Sequence, residues 1–185
     1  GISANDTTNI NAYYPNTQSD IVTAGGLAKV DFQLNEKNTI NGFFFKGEGN
    51  SISSGAALRP EWRTHYYMYS TMGAGTWTWL PNASWANSFR VGWSELDQPS
   101  GSTDAFAGVT AASVGIPTGV TNPLNAGVPS ITANSFQGLG GGSMTLQGPM
   151  NSLEVNDQVN YLLGKHAIRF GAALLTNNQN GGIFT

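Results

Sequence analysis

The sequence predicts an all-β fold, an antiparallel meander of long hairpins. Apolar and polar residues alternate with a period of two in six segments, as they do in strands whose two faces meet different surroundings. Helical periodicity is nearly absent, and short turn signals join neighbouring segments. The six segments therefore form three hairpins.

The first hairpin covers about residues 27–47. Its strands are residues 27–35 and 39–47, joined by a polar turn at Glu36 and Lys37. In the first strand polar residues alternate with an apolar set, which is Ala28, Val30, Phe32 and Leu34. This alternation predicts one apolar and one polar sheet face.

The second hairpin covers about residues 62–95. Its strands, 62–80 and 83–94, are joined by a reversal at Pro81 and Asn82, because proline cannot donate to a ladder and asparagine tolerates turn geometry. Asn87 is a polar exception on the apolar side of the second strand. The rest of that side is Trp85, Phe89, Val91 and Trp93.

The third hairpin covers about residues 152–175. Its strands, 152–163 and 166–175, are joined by Gly164 and Lys165, and Asp157 is out of pattern on the apolar side. The apolar side otherwise carries Leu153, Val155, Val159, Tyr161, Ile168, Phe170, Ala172 and Leu174.

The links between hairpins are long, about residues 48–61 and 96–151. A structureless loop of the second length is unusual in a compact soluble domain. Outer-membrane β-barrels, however, combine short periplasmic turns with long extracellular loops. We therefore expect part of a transmembrane outer-membrane β-barrel, with residues 1–185 as one partial barrel domain and no plug domain. Six strands are fewer than the roughly eight that a single-chain barrel needs, so the barrel is completed by more chain or by other copies.

The aromatic residues fit two membrane girdles. At a tilt near 45°, Trp85 and Trp93 are separated by about 19 Å along the membrane normal, and Tyr67/Tyr69 and Trp77/Trp79 by about 24 Å. Outer-membrane barrels carry such girdles around an apolar band about 25 Å tall. The alternative is that these aromatics fill the core of a soluble β-sandwich.

The polar face of the strands supplies the candidates for a water-filled lumen. In a transporter they would contact the plug or line the substrate route, and the alternative is that they only solvate the interior. They are Lys29, Asp31, Gln33, Arg90, Glu154, Asn156, Gln158, Asn160 and Arg169.

Composition excludes several classes of protein. Only 10% of residues are charged, against about 25% in ordinary soluble domains, while Gly numbers 24 and Asn 19. A disordered chain would be charge-rich, and a coiled coil would be rich in Ala, Glu, Lys, Leu and Arg. The net charge of −3 disfavours nucleic-acid binding, and the lack of cysteine excludes disulfides, Cys-based zinc sites and thiol nucleophiles.

No residue pattern indicates catalysis. His65 and His166 lack a second ligand at metal spacing, and Glu95 and Asp97 are interpreted as a solvated pair at a strand rim. The glycine-rich stretch 138–143 lacks the Lys-Ser/Thr ending of a phosphate loop. We therefore expect no catalytic, cofactor-binding or metal site and no enzyme activity.

Four stretches resemble the Oar-like TonB-dependent transporters of the outer membrane, in matching order and spacing. The most specific are GKHAIRFGAAL at 164–174 and NSFRVGW at 87–93, and the others are LAKVDFQLNEKNTINGFFF at 27–45 and GIPTGVTNPLNAGVPSITANSFQGLGG at 115–141. The resemblance implies a parent with an N-terminal carboxypeptidase-regulatory-like β-sandwich, a plug and a barrel of about 22 strands. It implies as partners the outer-membrane lipid, the remaining barrel and plug or other copies, and TonB only through the missing plug region.

Three functions follow as expectations, the third of which is a soluble β-sandwich that binds carbohydrate through exposed Trp and Tyr. The first is a barrel fragment of a TonB-dependent transporter in the bacterial outer membrane, which passes a ligand across it. The alternative is an extracellular structural or adhesive protein whose open sheet edges pair between subunits into an oligomer or fibre.

Overall fold

Six strands form one antiparallel sheet in chain order, from β1 to β6. The computed structural model describes residues 21–53, 57–132, 138–141 and 144–184. The strands are β1 Ile21–Asn35, β2 Asn38–Ile52, β3 Thr64–Asn82, β4 Trp85–Ser102, β5 Met144–Leu163 and β6 His166–Phe184. The all-β meander of three hairpins is therefore confirmed.

The strands extend further toward the long links than the predicted bounds. β2 continues to Ile52, β4 to Ser102, and β5 already begins at Met144, so the links run over 53–63 and 103–143 and not over 48–61 and 96–151. Alternation disappears in these extensions because both faces become polar, as in 48–51 and 97–100. Ladder hydrogen bonds continue there without an apolar signal that a sequence pattern could show.

The described part of the long link between β4 and β5 is folded. It contains a one-turn helix, α1, over Thr103–Phe106, and short 3-10 turns at Ala112–Val114 and Pro123–Asn125. An isolated antiparallel bridge joins Ile131 and Leu139. Among the described residues, no helix has the length and apolarity needed to cross a membrane.

The register shows how the hairpin turns are staggered. One row of ladder partners runs through Asn38, Trp79, Asn87, Val159 and Phe170. The β1–β2 turn lies at this row, because Asn35 pairs with Asn38, whereas the β5–β6 turn lies four residues beyond it, where Leu163 pairs with His166. Four residues rise about 14 Å, and four strand spacings cover about 19 Å. If the hairpin turns all lie at the same height, the strands must therefore tilt by about 35° from the perpendicular to the plane of the turns, as strands tilt from the axis in β-barrels.

The sheet separates its side chains into two faces. Directly paired residues share a face, and neighbours along a strand alternate. We call the apolar face the one that carries, among others, thirteen large apolar side chains that are each at least 37% exposed, and the polar face the opposite one. The thirteen are Val30, Phe32, Ile40, Phe44, Trp77, Trp79, Phe89, Val91, Trp93, Leu153, Ile168, Phe170 and Leu174.

The apolar face is not covered by any second layer in the described residues. Among all the described residues, the buried hydrophobic ones are only Ala105, Ala126 and Val159. Full burial of a large apolar side chain contributes about 1.5–3 kcal/mol, so thirteen partly exposed ones forgo on the order of 10 kcal/mol in water. That equals the stability of a whole domain. The face therefore requires an apolar environment, and the single sheet does not support the sandwich-core interpretation of its aromatics.

Candidate functional site

The nine lumen candidates all lie on the polar face, in the half of the sheet nearest the hairpin turns. Arg90 pairs with Thr76 and Asn156, and Asn160 pairs with Arg169. The complete set is Lys29, Asp31, Gln33, Arg90, Glu154, Asn156, Gln158, Asn160 and Arg169. The fold thus gathers residues from four strands on one surface, although their exposure to a lumen stays a prediction.

The cations of this surface are exposed and unpaired. Lys29, Arg90 and Arg169 are all exposed, and within the described part of the chain none forms an ion pair. Arg90 belongs to a continuous polar row that also contains Asp31, Asn41, Thr76 and Asn156. An aqueous or polar partner is therefore needed over this half of the face.

An apolar belt crosses the middle of the polar face, and alternation within single strands did not predict it. It consists of Leu27, Phe43, Phe45, Met72, Leu96 and Met150. The Phe45 ring lies over Gly47, where a Cβ atom would stand 2.7 Å from the ring Cζ. The run of Phe43, Phe44 and Phe45 was a signal for this belt, because one strand presents consecutive aromatics to both faces.

The turn end of the apolar face carries a cluster of aromatic side chains. Trp77 and Trp79 stack with ring centroids 6.3 Å apart, and Trp85 lies 5.5 Å from Tyr161. Trp77 Nε1 donates to Asn38 Oδ1 over 3.0 Å. An apolar ring with a satisfied polar edge is the chemistry of a membrane interface.

At the loop end, the girdle candidates lie at different heights. Trp93 pairs with Gly73, whereas Tyr69 pairs with Asp97, four residues further from the turns. Between these levels Thr71 pairs with both Lys46 and Glu95 on the same face, which limits the apolar band to the level of Trp93. With strands tilted by about 35°, Trp85 and Trp93 are about 22 Å apart along the normal.

Tyr67 and Tyr69 lie nearer the loop end of the sheet than Trp93 does. They stack on each other with centroids 6.3 Å apart. The Phe106 ring of α1 packs edge-on against Tyr67, with ring centroids 5.1 Å apart, so Tyr67 contacts the long link. The assignment of the six aromatics Tyr67, Tyr69, Trp77, Trp79, Trp85 and Trp93 to lipid-facing girdles stays a prediction.

The two polar exceptions of the apolar face pair with each other. Asn87 Nδ2 donates to Asp157 Oδ1 over 2.6 Å and approaches the Gln158 carbonyl oxygen at 3.4 Å. Each exception was unexplained in its own strand. The β4–β5 register brings them together, so each supplies the other's hydrogen-bond partner.

Asp104 joins two parts of the long link at the loop end of the sheet. This residue is 5% exposed, and its Oδ1 and Oδ2 accept from Ala105 N over 2.9 Å and from Val128 N over 2.8 Å. Gly141 packs on the fully buried Ser102, where any Cβ atom would collide with the Ser102 side chain. These contacts form a compact segment that we call the loop cap, residues 103–109, 126–128 and 141.

The remaining candidates show no catalytic arrangement. His65 Nε2 lies 2.7 Å from Thr103 Oγ1, and His166 starts β6. Glu95 and Asp97 lie on the apolar face beyond Trp93. The described residues contain no group of three or more His, Asp or Glu that could hold a metal. Residues 142–143 of the glycine-rich stretch lie outside the described residues.

One link residue has a perturbed acidity. Glu61 Oε1 accepts from Arg59 Nη2 over 2.5 Å, in the link between β2 and β3. Hydrogen bonding to its own backbone, and then to Arg59, lowers the pKa of Glu61 below its usual value. This exposed pair lies far in sequence from the lumen candidates and gives no sign of a reaction.

Comparison with known proteins agrees with this architecture. Residues 2–183 match the family described as outer membrane beta barrel domain. No curated protein and no solved structure matches the chain. The match spans almost the whole chain, and the meander, the short turns and the uncovered apolar face are what such a domain requires. The chain belongs to the outer membrane beta barrel domain family.

Proposed function

We propose that this chain forms part of the barrel wall of a TonB-dependent transporter, which passes a ligand across the bacterial outer membrane. Its apolar face contacts lipid, and its polar face contacts a plug domain and the substrate route. The chain binds no cofactor and catalyses no reaction. Family membership supports the outer-membrane location, and the four resembling stretches support the transporter class.

The observation that carries the proposal is the unpaired charge on the polar face. Lys29, Arg90 and Arg169 are exposed without ion pairs in the described residues, and they lie in the same half of the sheet. The interior of an outer-membrane barrel is polar and is filled by water or by a plug. A plug that presents acidic and amide groups would complement these cations.

Photo-crosslinking in the intact protein tests the plug contact. A photoreactive residue at Asn156 on the polar face should crosslink within the protein, to a segment outside the barrel strands. The matched control is Val155, its neighbour on the apolar face, which should give lipid adducts. Lipid adducts from position 156, or the same products from both positions, would contradict the proposal.

Capture by TonB tests the transporter class separately. The intact protein in detergent should be retained by an immobilised periplasmic domain of TonB. A version without any plug segment should not be retained. If the intact protein is not retained, the TonB assignment is wrong, even where the crosslinks still support a plugged barrel.

Assembly through sheet edges is the second candidate function. In the described residues β1 and β6 pair on one side only, and every residue of β1 is exposed. Unpaired edges are templates for strand addition. Single cysteines placed at Ala28 and Ala172, which lie on the same face of the two edge strands, would form disulfide-linked ladders between copies under this hypothesis. The transporter proposal predicts no such ladders.

A further inference from the structure

The loop end of the polar face contains a hollow of about 370 Å³. It is formed by two neighbouring ladder rows that cross several strands. One row includes Ile21, Ser51, Tyr66 and Ser100, and the next includes Thr23, Gly49, Met68, Gln98 and Gln147. Because lining residues come from five adjacent strands, the sheet curves toward the hollow on this face.

The lining of the hollow is uncharged and half apolar. Tyr66 is 50% exposed and Met68 is 43% exposed, although both belong to the polar face. Gly49 leaves space beside Met68, since a Cβ atom there would already stand 3.7 Å from the Met68 methyl carbon. Gln98 and Gln147 face each other in register, and neither carboxamide has a hydrogen-bond partner within the described residues.

We propose that this hollow binds a neutral, polyhydroxylated ligand, namely an oligosaccharide. The Tyr66 ring and the Met68 side chain cover the C–H face of a sugar ring, and the two carboxamides donate to and accept from its hydroxyl groups. The volume falls within the range of about 300–1,000 Å³ that is usual for small-molecule sites. The inference rests on the proposed function, because it requires that the polar face lines the lumen.

The distribution of charge separates this ligand class from charged ones. The charged residues of the polar face, Lys29, Asp31, Arg90, Glu154 and Arg169, lie in the turn half, and none lines the hollow. A carboxylate or phosphate ligand would have to give up water without gaining a cation. A neutral sugar loses only hydroxyl hydration, which the free carboxamides replace.

Calorimetric titration of the intact protein in detergent micelles tests the inference. The probes are the neutral trisaccharides maltotriose, cellotriose and chitotriose, with trigalacturonate as a charged control of the same size. At least one neutral probe should bind at least about tenfold more tightly than trigalacturonate. Absence of binding by all three neutral probes, or equal binding of trigalacturonate, would overturn the assignment.

Substitutions on β3 provide a matched pair. Tyr66→Ala should weaken sugar binding about tenfold, whereas Tyr66→Phe, which keeps the ring, should stay within about threefold of the unchanged protein. Tyr69→Ala is the control, because Tyr69 has similar exposure on the same strand but lies on the apolar face. Equal losses in the Tyr66→Ala and Tyr69→Ala variants would show a general effect on folding and refute the site.

A cysteine at Met68 separates this inference from the proposed function. If a spin label at that position contacts lipid, the polar face does not line a lumen and both proposals fail. If the label is in water but the neutral trisaccharides do not bind, the barrel wall stands and only the oligosaccharide site is refuted.

Discussion

Replacing Asp104 by alanine should loosen the contact between two parts of the loop cap, residues 103–109 and 126–128. The Asp104 carboxylate accepts from Val128 N over 2.8 Å and from Ala105 N over 2.9 Å, and the side chain is 5% exposed. Val128 belongs to a segment in which Ala126 is buried, and Gly127 N donates to the Val109 carbonyl oxygen over 2.6 Å. The carboxylate is thus the side-chain anchor between the two parts of the cap.

The expected magnitude follows from the donors that Asp104→Ala leaves without a partner. A buried donor without a partner costs about 1–3 kcal/mol. The hydrogen bond to Ala105 N is buried and the one to Val128 N is partly buried, so water replaces the carboxylate only incompletely at both donors. Removal of the buried charge also recovers some desolvation energy. We therefore expect the cap to be destabilised by about 2 kcal/mol, which is a factor of about 30 in its opening equilibrium.

Amide hydrogen exchange of the intact protein in detergent measures this opening. Exchange of residues 126–128 should be about 30-fold faster in the Asp104→Ala variant, while exchange within β4 and β5 stays unchanged. Asp104→Asn keeps one acceptor oxygen and should give an intermediate rate. Glu61→Ala, which removes an exposed carboxylate from the other link, is the control and should change nothing in the cap. Unchanged exchange of Val128 in Asp104→Ala would refute the reasoning.

Three further substitution tests concern the spanning part of the sheet. Gly171→Ala should lower the free energy of unfolding in urea by about 1–3 kcal/mol, because the added Cβ atom would collide with the Asp157 carbonyl oxygen of β5. The control is Gly26→Ala, where the added Cβ atom meets no neighbour, and this variant should be neutral or slightly stabilised. Asn87→Leu should cost about 1–2 kcal/mol, because it leaves Asp157 without its amide partner on the apolar face. The double variant Asn87→Leu/Asp157→Leu should recover most of that loss, and additive losses in the two variants would contradict the pairing.

The centre of each strand could be predicted from sequence, because one face of the centre must be apolar and the other polar. Strand continuations such as β4 from Asp97 to Ser102 could not, since both faces are polar there. Backbone hydrogen bonds to the neighbouring strands stabilise those extensions. Such bonds do not depend on side chains, so they produce no pattern in the sequence. The folded loop cap was also not predictable, because Asp104 contacts Val128 across 24 residues of link.

The candidate site shows the same division between local pattern and register. Alternation placed Arg90 and Arg169 on a polar face, but only the register shows that they share one surface with Lys29. Asn87 and Asp157 were isolated irregularities in the sequence, but the β4–β5 register makes them diagonal neighbours whose side chains share a hydrogen bond. Spacing within single strands predicted two girdles but not the relative height of their members, and the register places Tyr69 four residues further from the turns than Trp93.

The central claim is that the two faces of this sheet meet lipid and lumen, and β4 tests it most directly. This chain has no cysteine. A single spin-labelled cysteine is placed in turn at each position from 89 to 94 of the intact protein in lipid vesicles, with any cysteine outside this chain replaced by serine. Collisions with oxygen should be high at 89, 91 and 93, and collisions with a water-soluble nickel chelate should be high at 90, 92 and 94. Uniform water access at all six positions, or the reverse alternation, would contradict the account.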